Sequence, residues 1–172
     1  MKYMLKEMLE DCGAIKYGEF TLTSGKKSSY YVDIKLASTR PDILKKIAQK
    51  MAKYIGDEKI AGMELGAVPI ATAVSLETGS PYIMVRKKEK GHGTGSRLEG
   101  VLNEGDEVVV VEDVTTTGGS SVETVEVLRE AGAEVKKVLV VVDRQEGAEE
   151  NLKEVDVELI SLVKADELIG NK

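Results

Sequence analysis

The sequence predicts an α/β fold with a mainly parallel central sheet flanked by helices, and two observations predict it. From residue 59 onward, strand-like and helix-like stretches alternate at 59–63, 69–78, 81–85, 107–111, 119–131, 136–142 and near 157–162, the order that builds strand-helix-strand units. Polar residues also collect where those strands end: Glu64-Leu65-Gly66, Arg86-Lys87-Lys88, Glu112-Asp113 and Asp143-Arg144. In parallel sheets that edge is where ligands sit. The 172 residues suffice for one hydrophobic core, so a single domain over 1–172 is expected.

The elements follow in chain order. Met4, Leu5, Met8, Leu9 and Cys12 recur at helical spacing, which predicts a short amphipathic helix over 3–12 as a lid or packing element. Residues 20–28 and then Tyr30-Tyr31-Val32 read as two short strands joined by a basic turn. Pro41 starts a helix over 41–55 that places Ile43, Leu44, Ile47, Met51 and Ile55 on one face. The alternating series comes next. It is interrupted between Val85 and Val108 by a stretch without periodicity, basic at its base (Arg86, Lys87, Lys88, Lys90) and glycine-rich at its tip. Such a loop suits a flexible cover, here 86–100, that closes over an anionic ligand and opens to release it.

Composition narrows the function. A net charge of −6 argues against nonspecific nucleic-acid binding, whose affinity comes from clustered Lys and Arg. The single Cys12 rules out an internal disulfide framework and a metal site built on cysteines, and points to a cytoplasmic protein. No apolar run approaches the ~20 residues of a membrane span, and the N-terminus lacks the apolar region of a signal peptide. The expectation is a soluble protein with no membrane partner.

The chemistry is densest in residues 106–132. An apolar strand, Val108 to Val111, leads to Glu112-Asp113, then to the small-residue turn Thr115-Thr116-Thr117-Gly118-Gly119-Ser120, then to a helix. Tandem carboxylates can accept hydrogen bonds from a pair of hydroxyls, while the threonine and glycine amides open toward a phosphate at a helix N-terminus. One segment thus offers both halves of a phosphorylated-sugar site. One N-cap residue would satisfy the structure, and the excess of small and hydroxylated residues points to a ligand.

Other residues add to that edge. His92 lies between glycines, which allow close backbone approach while the imidazole donates to an oxyanion, and no second histidine supports a metal site. Arg144, at the end of the apolar strand that closes on Val142, offers a planar fork for a planar anionic partner. Gly91-His92-Gly93-Thr94-Gly95 follows charged residues instead of a strand, so it is no dinucleotide fingerprint. Ser24-Gly25-Lys26-Lys27-Ser28 lacks the spacing of a nucleoside-triphosphate loop.

Residues 109–120 resemble the phosphoribosyl-pyrophosphate (PRPP) motif of the type I phosphoribosyltransferase family, and segments 20–35, 86–96 and 143–147 resemble its orotate-using branch. The resemblance implies the type I fold, with a small N-terminal hood from about 1–35 plus the C-terminal segment. It implies Mg²⁺-dependent transfer of ribose 5-phosphate from PRPP to orotate in pyrimidine synthesis, giving orotidine 5′-monophosphate and pyrophosphate. Matched residue by residue, Glu112 and Asp113 would hold the ribose hydroxyls. Val114, Thr115, Thr116, Thr117, Gly118, Gly119 and Ser120 would form the 5-phosphate cradle. Arg86, Lys87, Lys90 and His92 would meet the pyrophosphate, with Lys90 and Asp113 closest to the chemistry. Thr116, Arg144, Lys26, Tyr30 and Tyr31 would contact orotate. No protein metal ligand is implied, since the Mg²⁺ would ride mainly on PRPP and water. The resemblance also implies a homodimer that shares loop 86–100 across subunits.

Two departures stand out. Relatives carry a lysine just before the Ser-Gly of the hood and another after the second core strand, where this chain has Thr23 and Gly66. A purine-type phosphoribosyltransferase would share the 108–120 cradle, and a PRPP-sensing regulator would keep the cradle without turnover. Arg144 and the hood favour orotate; Lys90 and His92 favour an enzyme; and residues 1–17 are too short for a DNA-binding helix-turn-helix.

Overall fold

The computed structural model describes residues 4–22, 25–89, 91 and 95–170. Helix α1 (Leu5–Asp11) leads into a two-stranded antiparallel hairpin, β1 (Ile15–Thr21) and β2 (Lys27–Val32), with an irregularity between Tyr17 and Phe20. Helices α2 (Ile34–Ser38) and α3 (Pro41–Met51) follow, and a 3-10 turn, Ala52–Tyr54, ends the run. Pro41 occupies the first turn of α3, where its missing N–H costs nothing.

The main body alternates as the sequence predicts: β3 (Lys59–Met63), α4 (Ala67–Thr78), β4 (Tyr82–Val85), β5 (Leu98–Glu99), β6 (Glu107–Thr115), α5 (Gly119–Glu130), β7 (Glu134–Asp143), α6 (Ala148–Glu154), β8 (Glu158–Lys164) and α7 (Ala165–Ile169). The six strands lie in the order β5-β4-β3-β6-β7-β8, all parallel except β5, which runs antiparallel to β4. From β3 the chain winds outward to β4 on one side, and from β6 it winds outward to β7 and β8 on the other, so this parallel pair is the topological switch point. A crevice opens there at the carboxyl edge.

The valines of β6 are buried on both faces. Val109 and Val111 pack with Ile43, Ile47 and Met51 of α3 and Ile70 and Val74 of α4, while Val108 and Val110 pack with Val125 and Leu128 of α5 and Leu152 of α6. Each fully buried aliphatic side chain contributes roughly 1.5–3 kcal/mol, and this double cover holds β6 and the residues at its end in place.

Two expectations need correction, and three helices go unannounced. The strand ending in the acid pair does not stop at 111 but continues to Thr115, because Glu112, Val114 and Thr115 stay in register with Val140, Val142 and Asp143 of β7. The acids therefore lie inside the strand. The stretch from 86 to 100 is not wholly irregular: β5 pairs with β4, and the Arg86 amide donates to the Arg97 carbonyl at 2.7 Å, so its base is a hairpin. Helices α2, α6 and α7 carry no periodicity long enough to announce them.

Candidate active site

Glu112 and Asp113 diverge from adjacent positions on β6. Glu112 turns toward α5, where the Ser121 hydroxyl donates to Oε2 at 3.4 Å, and its Oε1 accepts the Asp113 amide at 3.2 Å. It is buried. Desolvation, reinforced by the adjacent Asp113 carboxylate, pushes the Glu112 carboxyl up to about 8, so the site carries a proton at neutral pH. Asp113 turns the other way, toward Gly66 and α2. Its Oδ1 accepts the Val114 amide at 2.9 Å, and its Oδ2 stands 3.9 Å from Lys35 Nζ.

Around this pair a cavity of about 260 Å³ opens at the switch point, lined by Lys35, Met63, Glu64, Leu65, Gly66, Lys87, Glu112, Asp113, Val114 and Ser120. Three of the four carboxyl-edge segments that the sequence singles out meet here. Glu64 joins the first two, since its Oε1 accepts the Lys87 amide at 2.7 Å. At position 66 a Cβ would collide with the Asp113 carboxylate and stand 2.7 Å from its Cγ. No lysine enters the cavity from this position, and the Asp113 carboxylate occupies the space beside Gly66.

The small-residue turn closes the cavity on the α5 side. Gly118 caps α5 with φ +81°, a conformation costly for a side chain, and a Cβ there would stand only 3.1 Å from Ala148 Cα. Asn151 Nδ2 donates to the Thr117 carbonyl at 2.7 Å, so α6 supports the turn from behind. Thr116, Thr117, Gly119 and Ser120 are exposed at the N-terminus of α5, whose first-turn amides lack intrahelical partners. Thr115 differs from the expectation. It is buried and donates its hydroxyl to Asp143 Oδ1 at 3.3 Å, so it braces β6 to β7 and offers no hydroxyl outward.

Arg144 is only 8% exposed. Its amide donates to the Thr115 carbonyl at 3.0 Å, its Nε to Glu146 Oε1 at 3.2 Å and its Nη2 to Ser28 Oγ at 3.2 Å. The guanidinium carbon lies 4.3 Å from the centre of the Tyr30 ring, a cation–π contact. Burial pushes the Tyr30 phenol up, with the Arg144 charge opposing. The hood is therefore fastened to the sheet edge through Arg144, and Ser28 is a participant that the sequence does not flag. The two hood tyrosines do not come together: Tyr31 is exposed and packs on Phe20 with ring centres 5.7 Å apart. This follows from strand alternation. Lys26 lies exposed at the hairpin turn.

Arg86 sits at the base of the β4–β5 hairpin, with Nε 2.9 Å from Glu99 Oε1, and does not line this cavity. Lys87 reaches the cavity. Lys90 and His92, expected on the pyrophosphate, lie outside the described residues, as does Thr23. No group of three or more His, Cys, Asp or Glu suited to a metal ion occurs among the described residues. Two carboxylates beside a site for phosphates nonetheless suit Mg²⁺, a hard cation that binds through one or two carboxylates, water and substrate oxygens. No helix among the described residues is long and apolar enough to cross a membrane.

Comparison with known proteins gives a consistent result. The model of the phosphoribosyl transferase domain matches residues 38–167. The orotate phosphoribosyltransferase of Methanocaldococcus jannaschii is 56% identical over 169 residues, covering 97% of this chain and 96% of its own. The crystal structure of orotate phosphoribosyltransferase from Aeropyrum pernix superposes with a TM-score of 0.83 at 36% identity, over 97% of this chain and 98% of that one. That of the Mycobacterium tuberculosis H37Rv enzyme in complex with PRPP gives 0.79 at 31%, over 95% and 96%.

Proposed function

The chain belongs to the orotate phosphoribosyltransferases of the phosphoribosyl transferase domain family and transfers ribose 5-phosphate from PRPP to orotate, and we propose that it does so with the residues gathered at the switch point between β3 and β6. The observation that carries this reading is that one segment, 112–120, brings the acid pair and Ser120, at the end of the phosphate turn, to a single cavity.

The 5-phosphate lies on the amides of 116–120 at the start of α5, and the ribose hydroxyls reach Glu112 and Asp113. Glu112 and Asp113 divide the work. Glu112, protonated at neutral pH, both donates and accepts, while Asp113 is the carboxylate placed toward the developing positive charge at C1′. Cleavage of the C1′–O bond sends its electron pair to the departing pyrophosphate, and orotate N1 forms the new bond to C1′ while its proton passes to an oxygen of that pyrophosphate. No protein nucleophile is needed. Lys87, with Lys90 and His92 from the adjoining loop, meets the negative charge that builds on pyrophosphate and excludes water from the ribosyl centre. Mg²⁺, held by PRPP oxygens and water beside Asp113, would neutralise the diphosphate.

Arg144 holds the orotate carboxylate at the guanidinium edge now engaged by Ser28 and Glu146, with the Thr116 backbone next to it. Tyr30 supports this contact from beneath the guanidinium. The protein works as a cytoplasmic homodimer in which the subunits exchange loop 86–100, so that each site receives Lys90 and His92; the single Cys12 supports the compartment, and the exposed apolar Leu65, Leu76 and Met84 support the dimer.

The test is a panel of free bases with PRPP and Mg²⁺, following pyrophosphate release. Orotate is expected to react and hypoxanthine and uracil not to, and Arg144→Ala should raise KM for orotate at least roughly tenfold, the loss of one charge-assisted pair, with far less change in KM for PRPP. Equal losses for both substrates would overturn the role of Arg144. Release of pyrophosphate with hypoxanthine alone would point to a purine-type enzyme, and none with any base to a sensor.

A further inference from the structure

We propose that Lys35 is a PRPP-binding residue, supplying at the pyrophosphate end of the cavity the cation that position 66 does not carry; the inference rests on the reading of the cavity given above. Three observations lead to it. Gly66 brings no charge to the cavity, and the Asp113 carboxylate occupies the space beside it. Lys35, entering from α2, lines the same cavity from the opposite wall and stands 3.9 Å from Asp113 Oδ2. Its side chain is 60% exposed, so a pair this long and this wet adds little to stability. A lysine that the fold does not need for stability, aimed into a cavity lined by Glu64, Glu112 and Asp113, is available to a ligand.

Charge explains why it is required. A substrate with a phosphate at one end and a pyrophosphate at the other must enter beside three acids, Glu64, Glu112 and Asp113. At the described walls Lys35 and Lys87 are the cations. The 5-phosphate belongs on the α5 turn, which leaves the space between residues 64–66, Lys87 and Lys35 to the pyrophosphate. Lys35 can swing from Asp113 to a phosphate oxygen through rotation of its exposed stem alone. Its release would leave Asp113 facing C1′ as charge develops there.

The test compares Lys35→Ala, Lys35→Arg and, as a control for net charge, Lys45→Ala on the exposed face of α3, using calorimetric titration of PRPP with Mg²⁺ in the absence of orotate, and initial rates with both substrates. Lys35→Ala is expected to weaken PRPP binding and raise its KM by roughly tenfold or more, leave KM for orotate within about twofold and leave the melting temperature unchanged. Lys35→Arg should recover most of the affinity, and Lys45→Ala should match the parent. Wild-type affinity for PRPP with an unaltered Lys35→Ala would overturn this inference alone. An equal loss in Lys45→Ala would also overturn it, by showing a general field. A parent chain with no affinity for PRPP would overturn the reading of the cavity, and this inference with it.

Discussion

The two edges of the sheet carry similar numbers of charged groups and treat them in opposite ways. At the amino edge, Lys59 meets Asp106 at 2.6 Å and Lys137 meets Glu58 at 2.7 Å. Burial pushes the Glu58 carboxyl up, but the hydrogen bond from Lys137 and those from backbone amides outweigh it, and the group ends below the usual range. The Lys59 hydrogen bond draws Asp106 down as well. At the carboxyl edge, Glu112 is buried with a hydroxyl and a neighbouring acid for company, and the lysine of Asp113 stands off at 3.9 Å. Satisfied pairs join strands; an acid left without a close cation keeps its capacity for a partner that arrives from outside.

The largest effect that would break this contrast comes from Asp113→Asn. Turnover, measured as pyrophosphate release, should fall by roughly a hundredfold or more with the melting temperature nearly constant, since this side chain faces the cavity and not the core. A rate within a few fold of the parent would make both edges structural.

Glu112→Gln sharpens the contrast through pH. The folded protein holds a proton on Glu112 up to about pH 8, whereas the unfolded chain releases it near 4.5. This group therefore leaves stability intact below the unfolded value and removes it progressively as pH rises toward 8. The amide, always neutral, escapes that loss. Thermal or denaturant unfolding should show the variant equal to the parent at pH 4 and more stable by on the order of 2–4 kcal/mol at pH 8.5; parallel curves at both values would mean that Glu112 is ionised in the fold.

The smallest effect belongs to the amino edge. Lys137→Ala should cost roughly 0.5–1 kcal/mol of stability and nothing in KM for either substrate. That loss should fade as pH drops through the lowered range of Glu58, because the pair stabilises the fold only while the carboxylate is charged. A changed KM would show that the amino edge communicates with the site.

Much of this arrangement is legible in the sequence, and what is not has a common cause. The strand at 59–63 and the helix over 119–131 announce themselves by period and by the small residues that start them, and the acid pair with its turn is visible as a string. The helices at 34–38, 148–154 and 165–169 are too short to show a period and owe their existence to packing. Ile34, Ala148 and Leu168 are each buried against elements distant in the chain. Side-chain direction is hidden for the same reason. Whether Thr115 points to ligand or to Asp143, whether Glu112 ends protonated, and whether Gly66 leaves space or lacks it are all set by neighbours from β7, α5 and β6 itself. Lys35 has no motif around it, and only the position of α2 brings it to the cavity.

Ala148 places its Cα 3.1 Å from where a Cβ at position 118 would stand and shares a short helix with Asn151, whose amide grips the Thr117 carbonyl. The turn that receives the 5-phosphate is thus moulded by residues thirty positions downstream that touch no ligand. In a mutational scan, a bulky replacement at 148 would score as a defect in PRPP use and be mistaken for a contact residue. In directed evolution, the same position is a remote dial by which phosphate affinity can be tuned without altering a single group that meets the substrate.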